Sequence, residues 1–297
     1  MLTFKPIEPQ DAQWVTPLLH ANGYMTSTYS FVTQYMWSDP YNTQVARFGD
    51  HAIVRSERDG LLSYLYPAGH GNEKDALDAI IADAKEQTLP AQLYGVSVEA
   101  KQRLEQWYPD LFEIEAVRDD YEYIYSREEL AELPGKKFQK KRNHVSRFIR
   151  ENPDWQFHRL TVESLPEVRK FNDEWAALSD NKDDPGIQLE HEAIEKLFDH
   201  FEELPLEGGY ITAGGRIVAF SFGGAINDRI FDTNVEKALY EVTGAYNIIN
   251  REMARIVCAN YEMINREDDV GSEGLRKAKL SYNPIIIEPK YRAAFKF

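Results

Sequence analysis

Residues 209–235, GYITAGGRIVAFSFGGAINDRIFDTNV, hold three closely spaced apolar runs at 209–213, 216–222 and 229–235, each short enough to be a strand. Gly214-Gly215 separates the first two. Both glycines can take positive φ without steric cost, which predicts a two-residue hairpin turn of the primed type. Gly223-Gly224 has two readings, a β-bulge or a close backbone approach by a ligand. Downstream, the pattern predicts a helix over 244–259, a short strand at 261–264, a polar loop, a helical segment over 275–280 and a last apolar strand at 284–287. Upstream, 165–178 and 190–201 read as helices.

The first half carries the same theme. Gly49-Asp50 and Asp59-Gly60 punctuate a meander between Val45 and Tyr66, and Leu77, Ile80, Ile81 and Ala84 give residues 73–88 one apolar helical face. A strand over 92–98, a helix through Trp107 and two strands flanking 118–120 follow, after a short opening helix that carries Trp14, Val15, Leu18 and Leu19. Two halves of similar element order predict a duplicated α/β fold. The Pro134-Gly135 break sets the domains at 1–132 and 133–297, packed side by side, with residues 136–150 near their junction.

A chain of 297 residues suits two medium domains. With 43% hydrophobic residues it can bury a sizeable core, which excludes wholesale disorder. The formal charge of -15 repels nucleic acid and anionic bilayers, so any polyanion site must be a local patch. Cys258 stands alone in an apolar stretch and cannot form a disulfide within the chain. The start lacks a positive region followed by an apolar one, and no 18 apolar residues run together, so a cytoplasmic protein without a membrane span is expected.

The segment KKFQKKRNHVSRFIR (136–150) is that patch's natural candidate, with seven Lys or Arg and no acid. On a helical wheel Phe138, Val145, Phe148 and Ile149 share one arc, and Lys136, Lys137, Lys140, His144 and Arg147 the other. Two readings stand side by side: a solvated face that offsets the acid-rich segment upstream, or a phosphate-binding wall for a nucleotide, a tRNA end or a phospholipid head group. The segment NREDDVGSEGLRKAKLSYNP (265–284) turns from acidic to basic across Gly271 and Gly274. That order suits a helix macrodipole, but Tyr282 and Pro284 at a strand junction also sit where functional loops tend to lie. In YEVTGAY (240–246), Thr243 reads as an N-cap and Gly244 as the first turn of a helix whose amides could receive an anion. No metal site is expected, because the seven histidines form no His-x-x-x-His pair and only one Cys could assist them. Gly-x-Gly-x-x-Gly after a strand, a Walker loop and a Gly-x-Ser-x-Gly elbow are all missing, which counts against dinucleotide oxidoreductases, P-loop enzymes and α/β-hydrolases.

The order hairpin, strand, glycine-containing loop, helix, strand ending in Asn265, helix and last strand resembles the second half of a GNAT-type acyltransferase domain. Gly274, Leu275 and Lys279 match in kind the Gly-Leu-Tyr-x-Phe-Lys turn of Fem-type aminoacyltransferases. The combination of GKKFQKKRNHVSRF (135–148), VEKA (235–238) and residues 265–284 is similar to the soluble catalytic part of the bacterial-type phosphatidylglycerol lysyltransferases. This resemblance implies two tandem GNAT-like domains with mixed, mostly antiparallel sheets. It also implies aminoacyl transfer from an aminoacyl-tRNA donor to an amine or hydroxyl acceptor. Acetyl-CoA-dependent N-acetyl transfer ranks below, because Glu241 and Tyr246 stand where the usual acetyl-CoA loop has Gln or Arg and a small residue. A non-catalytic binder of a phosphorylated ligand is the third possibility. The large membrane portion of the lysyltransferases has no counterpart in this chain.

Such a transfer needs a cation to position the donor, donors for the oxyanion and a proton acceptor for the nucleophile. Under the resemblance, Lys279 and Arg276 are expected to contact a phosphate or the oxyanion, with Lys137, Lys141, Arg142 and His144 as a second cationic wall facing the same cleft. Thr243, Gly244 and Asn265 are expected beside the donor. Asp232 and Glu236 are expected to recognise an amino group and Tyr282 to relay a proton; the plainer reading has Glu236-Lys237 and Tyr282 merely closing the sheet.

Overall fold

The computed structural model describes residues 2–178 and 185–297. The first of its two sheets runs β1 (Lys5–Pro6), β2 (Gln44–Phe48), β3 (His51–Arg58), β4 (Leu61–Leu65), β6 (Ala91–Val96), β15 (Tyr291–Phe295), β7 (Phe112–Ala116), with β5 (Ala68–Gly69) paired to β3. The second runs β14 (Ile286–Glu288), β8 (Glu122–Ser126), β13 (Met263–Asn265), β12 (Ile230–Ala238), β11 (Arg216–Asn227), β10 (Glu207–Ala213), β9 (Gln156–Arg159). Among the described residues only β4 with β6 and β12 with β13 pair in parallel, so both sheets are mixed and mostly antiparallel. The helices are α1 (Ala12–His20), α2 (Phe31–Met36), α3 (Glu73–Glu86), α4 (Val98–Trp107), α5 (Arg127–Glu132), α6 (Gln139–Glu151), α7 (Leu165–Leu178), α8 (Pro185–Asp199), α9 (Ala245–Glu252) and α10 (Glu273–Leu280). None of the described helices is long and apolar enough to cross a membrane.

Local chemistry accounts for most of these elements. Gly214 and Gly215 turn the β10–β11 hairpin at φ 58° and 74°. The Gly223-Gly224 pair marks a bulge, and the close neighbour is the chain itself: a Cβ on Gly223 would stand 1.8 Å from the Asp232 carbonyl oxygen. The strand therefore continues to Asn227 instead of stopping at 222. Helix α3 begins where the Asn72 side chain accepts the Lys74 amide, and it buries Leu77, Ile80, Ile81 and Ala84 as its period requires. The helix expected over 244–259 is shorter, ending as α9 and giving way to a π-turn at Met253–Val257.

Neither sheet is confined to one half of the chain. Strand β8 precedes residue 132 yet lies in the second sheet, and the last strand, β15, is inserted between β6 and β7 of the first. The larger core also crosses the division, because Phe31, Val32 and Tyr35 of α2 pack with Phe198 of α8 and Phe222 of β11. This packing carries α2 to the middle of the second sheet. Strands β12 and β13 pair only over Ile230–Asp232 and Met263–Asn265 and then part, leaving a gap that the following side chains fill.

Candidate functional site

A cleft of about 700 Å³ opens between first-half residues such as Thr33, Trp37 and Tyr94 and the loop that carries Glu267 and Asp268. Asp232 lies one hydrogen bond behind its wall. Fully buried on β12, it accepts at Oδ2 from the Thr33 hydroxyl (2.9 Å) and the Asn234 amide (3.0 Å), while its Oδ1 has no partner among the described residues. The Asn234 amide also donates to Glu267 (3.2 Å), and the Asn234 Oδ1 is likewise without a partner. Burial, reinforced by Glu122, raises the Asp232 carboxyl well above the usual carboxylate range; burial, reinforced by Asp232, does the same for Glu267. Burial raises Asp268 too. Donors that carry positive charge would both satisfy the two orphaned oxygens and favour the ionised form of carboxyls that burial otherwise holds neutral. An ammonium group supplies both.

The neighbouring carboxylate is satisfied already. Glu122, fully buried, accepts from the Ser27 amide and hydroxyl (2.7 Å each), from Asn265 and from the Lys290 ammonium (2.7 Å). Asn265 also donates to the Met25 carbonyl (2.8 Å) and accepts the Glu267 amide (2.7 Å), so it ties the two halves together and shapes the Glu267 turn. Glu267 turns at a φ of 56°.

The expected cationic walls do not form around one cleft. Lys279 is buried and donates to the Arg266 carbonyl, with its ammonium disfavoured by burial and then by Arg266. Arg276 clamps the buried Asp269 with two bonds (2.8 and 2.7 Å) and also reaches Asp119. Asp269 is held well below the carboxylate range, chiefly by that guanidinium. Arg142 donates to the Leu133 and Gly135 carbonyls, closing the end of α5, and Lys137 pairs with Glu129 (2.7 Å). The basic helix itself packs on α9 through Val145 and Phe148, with Ile149 exposed where a buried position was expected, and no α6 residue lines the cleft. These cations are engaged locally: Lys279 and Arg142 by backbone carbonyls, Arg276 by the buried Asp269, and Lys137 by a solvent-exposed pair with Glu129.

Glu236 is occupied as well, accepting from Arg266 (2.7 Å) and Asn250 (3.0 Å) across the gap between β12 and β13. Tyr282 has the Asn247 amide on its hydroxyl (2.6 Å), and burial pushes its phenol up to about 12, so it stays protonated at neutral pH. Lys141 lies over the Tyr282 ring and touches Ser281. His144 is exposed, and its carbonyl covers the start of α9. There the N-cap is Gly244, not Thr243, and its φ of 84° and the 2.5 Å that separate a hypothetical Cβ from the His144 oxygen show why glycine is required. Gly244→Ala is expected to cost about 2–4 kcal/mol, from positive φ and overpacking together, read as a lower urea midpoint at unchanged slope. A loss below about 0.5 kcal/mol would show that α6 yields.

Of the residues singled out in the sequence, Asp232 and Asn265 thus stand together near the cleft. Thr33, Glu122, Asn234, Glu267 and Lys290 complete that neighbourhood and were not foreseen. The one local hint was the acidic run 267–269 before a glycine, which suits a turn as well as it suits a site.

Residues 23–294 match the family described as phosphatidylglycerol lysyltransferase, C-terminal. A conserved protein of unknown function from Bacteroides thetaiotaomicron is 36% identical over the whole of both chains, with a TM-score of 0.96. The structure of L-PGS from Bacillus licheniformis has a TM-score of 0.67 at 17% identity, over 98% of this chain and 94% of that one. FemX has a TM-score of 0.62 at 10% identity, over 98% and 96%. The tandem GNAT-like arrangement expected from the sequence is the fold observed.

Proposed function

Because the chain belongs to the phosphatidylglycerol lysyltransferase C-terminal family, and is acyltransferase-like in that sense, we propose that it transfers an aminoacyl group from an aminoacyl-tRNA ester to an amine or hydroxyl acceptor. The donor's ammonium docks at Asp232, Asn234 and Glu267. The carrying observation is the two orphaned oxygens, Asp232 Oδ1 and Asn234 Oδ1, beside the carboxyls of Asp232 and Glu267, which burial raises although Lys290 and Lys279 act on them from a distance. In the reaction the acceptor's lone pair attacks the ester carbonyl, the bond to the ribose oxygen breaks, and the acceptor's proton is released as the tRNA hydroxyl re-forms. Anchoring the ammonium beside Glu267 in the wall, with Asp232 and Asn234 behind it, fixes where the carbonyl stands.

Acetyl-CoA suits this surface less well. It offers no ammonium for the acid pair, α6 packs against the start of α9 with the His144 carbonyl close to Gly244, and Glu241 stands exposed nearby, paired to Arg216 at 3.5 Å. For a tRNA end, local attraction comes from Lys136 and Lys140, which remain exposed on the basic segment.

The test uses aminoacyl amides as soluble mimics of the donor ester, with their N-acetylated counterparts and acetyl-CoA alongside. Amides with a free amine are expected to raise Tm by about 2–4 °C at tenfold saturation, and N-acetylated ones not at all. Stabilisation by acetyl-CoA alone would overturn the reading in favour of ordinary acetyl transfer. Amide binding without turnover of any aminoacyl-tRNA would reduce the protein to a binder.

A further inference from the structure

Lys141 stands apart from the acid-walled cleft and lines no part of it. Half-buried on α6, it places Nζ 2.7 Å from Ser281 Oγ and 3.7 Å from the centre of the Tyr282 ring. The buried Lys237 and the nearly buried Lys290 each hold a carboxylate, Glu190 at 2.9 Å and Glu122 at 2.7 Å, while the buried Lys279 is capped by the Arg266 carbonyl. Lys141 has no carboxylate within ion-pair distance among the described residues. The groups that face it are Glu236 from β12, Arg266 from the segment after β13, and Ser281 and Tyr282 from the segment after α10. Glu236 is already bonded to Arg266 and Asn250, and the Arg266 guanidinium lies 4.9 Å from the centre of the same tyrosine ring.

Orientation is set by Ser281. Its hydroxyl donates to the Ala278 carbonyl (2.6 Å), so towards Lys141 it can only accept. One N–H of the amine is thereby fixed, and the lone pair of the neutral amine is directed away from Ser281. A desolvated amine beside a second cation is the environment in which a lysine becomes a nucleophile.

We propose that the ε-amine of Lys141 is an activated nucleophile that takes acyl groups from activated acyl donors, acyl phosphates and aminoacyl esters, and so is a covalent modification site on the basic helix. The lone pair attacks the carbonyl carbon and a C–N bond forms. The C–O bond to phosphate or ribose breaks with its electron pair left on that oxygen, and the proton shed by the attacking nitrogen passes to water when phosphate leaves and to the ribose oxygen, directly or through water, when ribose leaves. The product is a neutral amide, which removes the cation that Arg266 repels. This inference goes beyond the proposed transfer and does not depend on it.

Burial, then Arg266, brings the amine from 10.5 down to about 8. That drop raises its neutral fraction at pH 7 about 300-fold. A Brønsted slope of about 0.4–0.5, as for thiols, returns roughly tenfold of the gain through weaker basicity. Half-burial takes a further part, which leaves an advantage on the order of tenfold over an exposed lysine.

The experiment treats the whole chain with limiting acetyl phosphate between pH 6 and 10 and reads each lysine by peptide mass spectrometry. At pH 7, Lys141 is expected to be acetylated about tenfold faster than the exposed Lys136, Lys140 and Lys277, with the lead shrinking as pH approaches 10. Concentrated urea is expected to abolish it. Equal rates in the native protein would overturn the proposal, as would a lead that survives in urea, since its cause would then lie in the neighbouring sequence and not in Arg266, Ser281 and Tyr282.

Discussion

Lys290→Ala is expected to lower the unfolding free energy by about 3–5 kcal/mol, the usual cost of stripping one partner from a buried ion pair. The ammonium lies 2.7 Å from Glu122, whose side chain is fully buried, and its own side chain is only 12% exposed. Around the pair stand Asp232, Glu267 and Asp268, whose carboxyls feel Glu122 as a like charge, so removal of Lys290 leaves a cluster of acids short of a cation. The position matters twice, because Lys290 leads directly into β15, the strand that fills the gap between β6 and β7. Urea unfolding checks the figure, and the double variant Lys290→Met with Glu122→Gln is expected to recover part of the loss, since no charge is then left unpaired. A single-variant cost under about 1 kcal/mol would mean that water reaches Glu122 and that the pair is a surface one in effect.

Asp232→Asn is expected to act in opposite directions on stability and on binding. The folded protein holds this carboxyl above its unfolded pKa, so its favourable contribution is complete below the unfolded value and is lost as pH rises through the folded one. At neutral pH the carboxyl therefore costs stability. An amide in its place bears no charge to desolvate, so a gain of about 1–2 kcal/mol is expected at pH 7, together with a flatter stability profile above pH 4. Binding of amine-bearing aminoacyl amides is expected to fall at least tenfold, the worth of about 1.4 kcal/mol from one charge-assisted hydrogen bond. Calorimetry and thermal unfolding on one preparation decide both halves. A variant that is less stable at pH 7 and still binds amines would remove Asp232 from the site.

Stability bought at the expense of binding is what a ligand-directed carboxyl predicts, and a structural one does not. Glu236 provides the contrast. Its oxygens are both occupied by Arg266 and Asn250, so its removal is expected to destabilise the gap between β12 and β13 without a compensating gain.

The elements whose causes lie within a dozen residues were legible in the sequence: the Gly214-Gly215 hairpin, the first-half meander, helix α3 with its apolar stripe, and the basic amphipathic helix with Phe138, Val145 and Phe148 inward. Positive φ, apolar periodicity and capping are local properties, and these survived folding nearly unchanged. The motifs at 135–148, 235–238 and 265–284 likewise pointed to the right family, because they are contiguous. What the chain could not disclose is which groups meet across it. Thr33 reaches Asp232 over 199 positions and Lys290 reaches Glu122 over 168, and only the exchange of β8 and β15 between the sheets and the docking of α2 on β11 bring them together. The basic residues teach the same lesson. A lysine or arginine is free to grip a phosphate only if no nearer carbonyl or carboxylate has claimed it, and burial makes those claims strong, so Lys279, Arg276 and Arg142 were decided by tertiary neighbours that no spacing along the chain records.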